Sequence, residues 1–524
     1  MINKCLLYYN TIKYMKPGQL FYRLAKKTGL NCTIGCLPNL QFTKPKIIKT
    51  PIELDMDDVY LSRYNAKEIV SDKITFLNVS KDFDWNEKWT FDDQSDLWNF
   101  NLHYFDYLFS LVDEYKKTND RKYFDKTIYC IESWIDKNPV GTGIGWSPYT
   151  IDLRLTNWIS YYCIMYDEFV EEFKIKIEKS MHDQFVYLSK HIEKDILGNH
   201  YFEDLKTLIL CSIFFNDNNM LHKALIEFKK ECKEEILTDG MHFELSIMYH
   251  KIIFEGLLRI TIALRGIGEP DNELERLISP MLDVAWSFEE GIERIPLFND
   301  CGDNVAKSLK ALQSVCEKYF EITPKFKAEF PYGGFYIYKD DNYKLIVDAG
   351  EIGPEYIPGH SHCDAMSFEL YKNGKPVITN CGTYGYQCKE RQYFRSTAAH
   401  NTVMINDTEQ SQCWSVFRVA KRSKIKIIEK NESFIKIELE DYRRNIVYRT
   451  ISITDKDIKI RDYSKGNQLS SYYHLLSDDI SLYSECKMTE SIQKYAPEYG
   501  ICKNIRTCCF NEKNFVEVII HVGD

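Results

Sequence analysis

The sequence predicts a helical domain followed by an antiparallel β-sandwich, and three observations carry this prediction. The chain has 524 residues, more than one ordinary hydrophobic core accommodates. Apolar residues recur with a helical period in the first three-fifths and with a period of two afterwards. The pattern changes within residues 324–334, so helices and strands are separated rather than alternating. We therefore predict domains at residues 1–325 and 326–524.

Amphipathic segments fill the first domain. In residues 101–115, large apolar side chains recur at steps of four, three and four, which places them on one face of a predicted helix. These side chains are Tyr104, Leu108, Leu111 and Tyr115. Residues 253–264 have similar spacing, and residues 174–190 are also amphipathic. Long helices with short connections indicate antiparallel helical hairpins, but periodicity does not show whether they close into a ring.

Short alternating segments fill the second domain. Ile435, Ile437 and Leu439 alternate with charged residues, which is typical of a strand with one buried face. Asn373 and Gly374 separate two further apolar segments. Because Asn and Gly tolerate the positive φ angles of a tight turn, this pair predicts a β-hairpin.

Composition and charge exclude several classes of protein. The chain has 67 Lys and Arg against 77 Asp and Glu, a formal charge of −10, so we expect no nucleic-acid partner. Eighteen apolar residues never occur in a row, and the N-terminus does not resemble a signal peptide. We therefore predict no transmembrane segment and a cytoplasmic, membrane-adjacent location. The 17 cysteines, including Cys32 and Cys36, lack paired zinc-type spacing and indicate reduced, buried thiols.

The first fifty residues have an uneven charge. Residues 1–50 contain nine Lys and Arg and no Asp or Glu. A basic arm in solvent is the commoner explanation of such a segment. Peripheral contact with an acidic membrane surface, or with a polyanion, is the alternative.

The first candidate site is the segment GNHYFE at residues 198–203. His200 and Glu203 are three residues apart, so they share a helix face, where the carboxylate would orient the imidazole as a general base. The amide of Asn199 would donate to a substrate carboxylate. The alternative is a helix N-terminus that Asn199 caps, with an exposed His-Glu pair.

The second candidate is the segment DGMHFELSIMYH at residues 239–250. Its Tyr249 would act as a proton donor or base if nearby cations lower the pKa of the phenol. The alternative is a buried tyrosine with a hydrogen-bonded hydroxyl.

Two further candidates lie in the second domain. His360, His362 and Asp364 alternate along a predicted strand, so they would share one side and form a catalytic cluster or half of a metal site. Asn380 and His400 follow them. The segment of residues 393–402 contains an arginine whose planar guanidinium would bind a carboxylate or sulfate, or else form a structural salt bridge; it is Arg395.

Taken in order, these segments resemble the heparinase II/III-like polysaccharide lyases. The resemblance starts near residues 14–27 and continues through WNFNLHYFDYL at 98–108 and GWSPY at 145–149. It includes the two segments described above and PLFND at 296–300. It is strongest from GHSHCDAMSFEL at 359–370 to FRSTAAHNT at 394–402. It implies an N-terminal incomplete α/α toroid, a C-terminal antiparallel β-sandwich and an active site between them.

The resemblance also implies β-elimination on a uronic acid in an acidic polysaccharide or oligosaccharide, with a link to capsule or exopolysaccharide metabolism as a further expectation. It assigns Asn199, with His200, to the substrate carboxylate, Tyr249 to the leaving oxygen and His360 to the base. Glu203 resembles the acidic partner of His200. The residues expected to bind the sugar chain are Trp146, Tyr149, Arg154, Asn157, Arg395 and Asn401.

Members of this family also hold a structural metal, usually Zn²⁺, and no organic cofactor is implied. By motif, the ligands are His362, Asn380 and His400. Asn380 stands where the family usually has Asp, which lowers the expected affinity unless Cys381 or Cys363 substitutes.

Two other functions remain open from the sequence. A glycoside hydrolase on the same toroid would need paired carboxylates beside the scissile bond. A glycan-binding or assembly protein would retain the scaffold without catalysis, and the departure at Asn380 favours it. The His, Tyr and Asn residues of the candidate segments favour the lyase.

Overall fold

The computed structural model describes residues 4–29, residue 33 and residues 40–523. Helices dominate the described part of the chain up to Phe320, with one two-stranded hairpin of β1 (Lys73–Phe76) and β2 (Val79–Asp82). The helices are α1 (Lys4–Ile12), α2 (Pro17–Lys27), α3 (Ile52–Asp55), α4 (Asp58–Leu61), α5 (Ala66–Val70), α6 (Asp96–Tyr104), α7 (Leu108–Thr118), α8 (Arg121–Lys137), α9 (Pro148–Met165), α10 (Glu171–Leu188), α11 (Asn199–Phe214), α12 (Asn218–Glu235), α13 (Ile247–Gly266), α14 (Asn272–Glu275), α15 (Ile278–Glu289) and α16 (Leu309–Phe320).

The long helices form two layers. In one layer, α6, α9, α11, α13 and α15 pack side by side in that order. In the other layer, α10 and α12 pack against these helices, and α8 packs against α10 and α7. Because α10 and α12 return the chain between successive members of the inner layer, α9, α11 and α13 run in the same direction. The predicted helical hairpins are confirmed, and the inner helices direct their N-terminal ends towards one side of the domain.

The predicted helix over residues 101–115 is wrong in one respect. The chain forms two helices there, because α6 ends at Tyr104 and Phe105 adopts a left-handed φ of 67° before α7 begins. The Phe105 ring is fully buried, with its centroid 5.5 Å from that of Trp89 and 5.1 Å from that of Trp158. Burial of this aromatic ring offsets the cost of the unusual backbone conformation.

Strands dominate the chain after Glu329. They are β3 (Glu329–Phe330), β4 (Phe335–Lys339), β5 (Tyr343–Asp348), β6 (Phe368–Lys372), β7 (Lys375–Ile378), β8 (Val403–Ile405), β9 (Cys413–Trp414), β10 (Arg418–Val419), β11 (Lys424–Asn431), β12 (Phe434–Glu440), β13 (Ile446–Ile453), β14 (Asp457–Leu475), β15 (Ser481–Tyr483), β16 (Lys487–Tyr495) and β17 (Lys503–His521), with one short helix, α17 (Arg391–Phe394).

Most of these strands join one curled antiparallel sheet. The order β11-β12-β13-β14-β7-β6-β5-β4-β3 runs across it, and β17 pairs with β14 over most of its length. Asn373 (φ 50°) and Gly374 (φ 79°) form the tight turn between β6 and β7, which confirms the predicted hairpin. Apolar residues from both domains form a shared cluster that includes Met248, Phe288 and Phe335, so the two domains pack against each other.

The first helices are not a solvated arm, which corrects that interpretation of residues 1–50. The Gln19 amide donates to the carbonyl of Ile196 (2.9 Å), which attaches α2 to the helical domain. The Trp414 indole donates to the hydroxyl of Thr11 (3.0 Å), which attaches α1 to the β-domain. The two helices therefore bridge the domains. Residues 1–3, 30–32 and 34–39 of the predicted arm lie outside the described residues.

A second bridge lies at the β1–β2 turn. The Asn78 amide donates to the carbonyl of Tyr499 (3.0 Å). Beside it, Gly500 has a φ of 79°, and a Cβ there would lie 1.9 Å from the carbonyl oxygen of Leu77. Only glycine permits this close approach of the two backbones.

Two further expectations concern the whole chain. Among the described residues, no helix combines the length and the apolar character that a membrane crossing requires. No disulfide links the cysteines of the described ranges, whereas Cys32 and Cys36 lie outside them.

Candidate functional site

A cavity of about 650 Å³ lies between the two domains. The inner helices α9, α11 and α13 form one wall, loops of the β-domain form the other, and Thr11, Met15 and Arg23 of the N-terminal segment contribute to its edge. Each inner helix presents a polar residue from its first turn to the cavity, namely Tyr149, Asn199 and Tyr249. Helix N-termini carry partial positive charge, so this arrangement favours an anionic ligand.

Asn199 is the first residue of α11 and lines the cavity. The preceding Gly198 has a φ of 61°, and a Cβ there would lie 3.0 Å from Ile357. Asn199 does not cap the helix, and its side chain is only 3% exposed. Within the described part of the chain its amide has no hydrogen-bond partner. The amide is therefore free to bind a ligand in the cavity.

His200 pairs with a different carboxylate from the predicted one. Its Nδ1 lies 2.8 Å from a carboxylate oxygen of Glu193. Glu203 instead accepts a hydrogen bond from Lys206, so the assignment of Glu203 as the partner of His200 is wrong. Burial lowers the pKa of His200, but Glu193 outweighs it and the net shift is upward. The sequence carries no signal for Glu193 as the partner of His200, because it lies seven positions earlier, before the turn that leads into α11.

Tyr249 takes part in a chain of hydroxyl groups. Its hydroxyl lies 2.7 Å from that of Tyr386, which lies 2.8 Å from that of Tyr499. Burial, with smaller contributions from these two tyrosines, raises the pKa of Tyr249 well above its ordinary value. The expectation that cations lower this pKa is therefore corrected. The phenol keeps its proton at neutral pH and can donate it.

His360 lies directly against Tyr249, with ring centroids 4.0 Å apart. Its Nδ1 lies 3.0 Å from Asp300. A carboxylate only accepts hydrogen bonds, so Nδ1 carries the proton and Nε2 carries the lone pair. Nε2 has no hydrogen-bond partner in the described ranges. Burial lowers the pKa of His360, and Asp300 only partly opposes it, so a neutral imidazole is available as a base.

Asp300 orients this part of the site. It accepts hydrogen bonds from both terminal nitrogens of Arg391, from the hydroxyl of Thr383 (3.2 Å) and from Nε2 of His362 (2.9 Å). Burial raises its pKa, but Arg391 and the two histidines outweigh burial and hold it well below the ordinary value. The sequence contained a signal for Asp300, which ends the PLFND segment, but nothing pointed to Arg391.

The predicted strand over residues 360–364 is wrong. These residues form a loop before β6. His360 and His362 meet through Asp300 rather than through strand alternation. The carboxylate of Asp364 instead accepts a hydrogen bond from the backbone N–H of Asn299 (2.8 Å).

Of the predicted sugar-binding residues in α9 and the turn before it, two line the cavity. They are Tyr149, whose ring centroid lies 4.6 Å from that of His200, and Asn157, whose amide donates to Asp106 (2.9 Å). Trp146 and Arg154 do not line it, which corrects their assignment. The Trp146 indole donates to the carbonyl of Asn138 (3.1 Å) inside the helical domain.

Arg154 is fully buried beneath the cavity wall. Its Nε donates to Gln184 (2.8 Å), and its guanidinium lies 3.9 Å from the ring centroid of Trp134. Burial lowers its pKa well below the ordinary value, opposed by Asp152. Arg154 thus stabilises the packing of α9 and α10 rather than binding a sugar.

Arg395 and Asn401 lie in the interior of the β-domain, which corrects their predicted roles too. Arg395 donates to the backbone carbonyls of Ser361 and Val416, each at 3.0 Å. The Asn401 amide donates to the carbonyl of Phe368 (2.9 Å) and accepts from a backbone N–H on β14 (2.8 Å). Both side chains are fully buried and hold loops in place.

The predicted metal ligands fit a metal only in part. Nδ1 of His362 faces Nε2 of His400 at 3.1 Å. The opposite nitrogen of His362 donates to Asp300, and that of His400 donates to the carbonyl of Ser396. Both facing nitrogens therefore carry lone pairs, an arrangement that suits a shared cation.

Asn380 fits less well. Its amide oxygen already accepts from the backbone N–H of Asn401 (2.9 Å). The proposed substitutes also point elsewhere, because the Cys363 thiol contacts the carbonyl of Ser411 and the Cys381 thiol contacts Tyr393. The described residues contain no group of three His, Cys, Asp or Glu side chains that could hold a metal ion.

Two family models match the chain. The model of the heparinase II/III N-terminus matches residues 46–328, and the heparinase II/III-like C-terminal model matches residues 323–492. The chain belongs to the heparinase II/III family. Each domain of the fold thus corresponds to one of the two models.

Curated relatives and solved structures agree with this assignment. The heparin-sulfate lyase of Pedobacter heparinus is 24% identical over 377 residues, which cover 63% of this chain and 55% of the relative. The heparin-sulfate lyase of Bacteroides stercoris is 22% identical and is matched over 66% of this chain and 58% of its own length. The matched region therefore spans little more than half of these relatives.

Among solved structures, heparinase III has a TM-score of 0.67 at 16% identity, covering 97% of this chain and 92% of that structure. The heparan sulfate lyase HepC from Pedobacter heparinus has a TM-score of 0.56 at 17% identity, covering 96% and 87%. These likenesses confirm the predicted fold, a helical toroid followed by an antiparallel β-domain.

Proposed function

We propose that this protein is a polysaccharide lyase that cleaves a uronic-acid-containing glycan by β-elimination. One observation carries the proposal. A free amide at Asn199, a protonated hydroxyl at Tyr249 and a basic nitrogen at His360 all face one cavity. The curated relatives, which are heparin-sulfate lyases, support a glycosaminoglycan-type substrate.

The first step of the proposed reaction is proton removal. The Asn199 amide and the N-terminal end of α11 bind the uronate carboxylate and stabilise the negative charge that develops on it. Nε2 of His360 takes the proton from C5, the carbon α to that carboxylate. Asp300 keeps the imidazole in the required tautomer and stabilises the imidazolium that forms.

The second step is loss of the leaving group. The electron pair of the broken C5–H bond forms a double bond between C4 and C5, and the bond from C4 to the glycosidic oxygen breaks. Tyr249 donates its proton to that oxygen. Tyr386 and Tyr499 form a hydrogen-bonded route through which the tyrosinate regains a proton. The products are a 4,5-unsaturated sugar and a new chain end.

The test is ultraviolet absorbance of the unsaturated uronate during incubation with uronate-containing polysaccharides, including heparan sulfate, chondroitin and bacterial capsular polymers. We expect a rise that Tyr249→Phe abolishes. Tyr332→Phe is the matched control, because Tyr332 is exposed and does not line the cavity. New reducing ends without absorbance would establish a hydrolase. Saturable glycan binding without any cleavage would establish a non-catalytic protein.

The geometry disfavours the hydrolase. Four of the five carboxylates that line the cavity already have a polar partner. Glu203 pairs with Lys206, Glu255 with Arg259 (2.7 Å) and Glu193 with His200 (2.8 Å), and Asp106 accepts from the amide of Asn157 (2.9 Å). A hydrolase needs one protonated and one free carboxyl group on opposite sides of the bond. A link to capsule or exopolysaccharide metabolism remains part of the proposal, and the capsular polymers of the panel test it.

We also propose that His362 and His400 bind a structural Zn²⁺, with the Asn380 oxygen as third ligand. When bound, the metal would link the loop before β6 to the loop before β8, and the elimination does not require it. Because Asp is a stronger ligand than Asn, Asn380→Asp should raise the zinc content of purified protein measured by mass spectrometry. Equal zinc content in Asn380→Asp and wild type, near zero in both, would contradict the proposal.

A cytoplasmic, membrane-adjacent location is a further part of the proposal. The abundance of cysteines without a disulfide in the described ranges supports a reducing compartment. Large apolar residues of α1 and α2 are exposed beside basic ones, including Tyr9 (66%), Phe21 (64%) and Leu24 (65%). Such a surface suits an acidic membrane. Co-sedimentation with anionic but not neutral vesicles, lost in Phe21→Ser/Leu24→Ser, tests this contact.

A further inference from the structure

The cavity continues from the reaction centre along the inner helices. On α11, both Asn199 and Lys206 line it, and on α13 both Tyr249 and Gly256 line it. The members of each pair are seven positions apart, so at 1.5 Å per residue the cavity extends about 10 Å beyond the reaction centre. This depth leaves room for a sugar residue next to the one that reacts.

A lysine with no direct polar partner lies at this inner end. Lys307 lines the cavity and is only 3% exposed. Its ammonium group has neither a hydrogen bond nor an ion pair in the described part of the chain. Its nearest aromatic contact is the ring of Tyr60, whose centroid lies 3.4 Å from Nζ.

The neighbouring basic side chains Lys206 and Arg63 already have polar partners. Lys206 pairs with Glu203. Arg63 donates to the hydroxyl of Tyr64 (3.1 Å) and to the carbonyl of Tyr60 (3.2 Å). Lys307 thus differs from the other basic residues at this end of the cavity.

The nearby acids are engaged as well. Glu255 binds the guanidinium of Arg259 at 2.7 Å, and Asp106 accepts from the amide of Asn157 at 2.9 Å. Both act on Lys307 through space and oppose the loss of its charge by burial. A buried ammonium without hydrogen-bond acceptors is costly, so a ligand that supplies an oxyanion would be stabilised strongly there.

We propose that Lys307 binds an oxyanion, a carboxylate or a sulfate, on a sugar adjacent to the uronate that is cleaved. The inference rests on the proposed function, because it assigns a second recognition point to the same glycan. Lys307 would bind and position the chain without contacting the reacting atoms. It would make the protein select glycans with a second negative group at a fixed distance from the scissile bond.

The experiment compares Lys307→Met with Lys310→Met, which removes the same charge from an exposed position three residues away. Each variant is assayed with an unsulfated heparosan tetrasaccharide and with its sulfated heparan counterpart. For Lys307→Met we expect KM to rise about 10- to 100-fold, as loss of one charge-assisted hydrogen bond predicts, with kcat within about threefold. Lys307→Arg should restore most of the affinity, and Lys310→Met should match wild type.

The two substrates distinguish the source of the oxyanion. A KM that rises only with the sulfated substrate identifies a sulfate as the ligand of Lys307. An equal rise in KM with both substrates identifies a carboxylate. Unchanged KM in Lys307→Met would overturn the inference while leaving the proposed elimination intact. A fall in kcat alone, with the thermal midpoint lowered, would also overturn it and indicate a structural role.

A substitute variant and the behaviour of the wild-type protein keep the test decisive. If Lys307→Met does not fold, Lys307→Gln retains a polar side chain and is assayed in the same way. If wild type neither cleaves nor binds either tetrasaccharide, while other uronate polymers are cleaved, the inference fails for heparan-type chains and the lyase proposal stands. If no uronate polymer is cleaved, the proposed function itself fails.

Discussion

Asn199 and Asn401 are both buried asparagines, but their amides meet opposite conditions. Asn199 lies in the cavity wall at 3% exposure, and its amide has no partner among the described residues. Asn401 lies inside the β-domain at 0% exposure, and its amide is hydrogen-bonded on both sides. Burial alone does not separate them. A binding residue is therefore recognised by a polar atom without a partner, and not by its residue type.

The histidines repeat this contrast at closer range. His360 and His362 are two residues apart and share Asp300. His360 keeps one nitrogen open to the cavity. The two nitrogens of His362 face the interior, where Nε2 donates to Asp300 and Nδ1 lies 3.1 Å from Nε2 of His400. One shared carboxylate therefore orients a residue of the proposed reaction centre and a residue of the interior.

Of the two asparagines, Asn199 should have the larger effect on activity when it is replaced. Asn199→Ala removes the donor that faces the developing charge of the substrate carboxylate. We expect kcat/KM to fall about 10²- to 10³-fold, the range typical of one preorganised donor. Because the amide has no partner in the folded protein, the midpoint of thermal unfolding should stay close to wild type. Activity within tenfold of wild type would break the distinction between the two asparagines.

The same substitution at Asn401 should lower the stability of the fold rather than the activity. Asn401→Ala leaves the carbonyl of Phe368 and the backbone N–H of His474 without partners in the interior. We expect the free energy of unfolding to fall by about 2–4 kcal/mol, since each unsatisfied buried group costs roughly 1–3 kcal/mol.

Urea denaturation measures this loss, and steady-state kinetics of the folded fraction provide the control. The KM of Asn401→Ala should match wild type, because Asn401 does not line the cavity. A raised KM with unchanged stability would indicate that Asn401 binds substrate, as the family resemblance implied.

A smaller effect, on pH dependence, tests the contrast between the histidines. Burial holds the pKa of His360 below its ordinary value of 6.5. The base must be neutral to accept a proton, so activity is present above this pKa and is lost as pH falls through it. We therefore expect the acidic limb of kcat/KM to lie below pH 6.5. A limb above pH 7 would indicate that His360 is not the titrating base.

The sequence allowed prediction of the features that depend on local pattern. The order of the domains, the amphipathic helix that became α13 and the Asn373-Gly374 hairpin all follow from periodicity and turn chemistry. The motifs, taken together in their order, also resembled a known family, and that resemblance implied several of the residues that surround the cavity. Each of these signals lies within a short segment of chain, which is why no tertiary information was needed.

What remained hidden depends on partners distant in sequence. Arg154 carries the residue type of a sugar-binding group, but Gln184 and Trp134 occupy its guanidinium. Asp300 is linked to Arg391, ninety-one positions away, and the sequence gives no sign of that pair. Whether a polar atom is open or engaged is a property of the packed chain, so spacing and residue type do not predict it.

The smallest expected effect concerns the bridge from α1 to the β-domain. Trp414→Phe removes the hydrogen bond from the indole to the hydroxyl of Thr11 while retaining an aromatic ring beside Tyr8. A single such bond contributes about 0.5–1.5 kcal/mol, so local opening of α1 should become roughly 2- to 13-fold more frequent. Hydrogen exchange should therefore accelerate in residues 4–12 and stay unchanged in α11. Equal exchange in both proteins would mean that the indole hydrogen bond adds nothing to this bridge, and that an engaged polar atom need not stabilise the contact it makes.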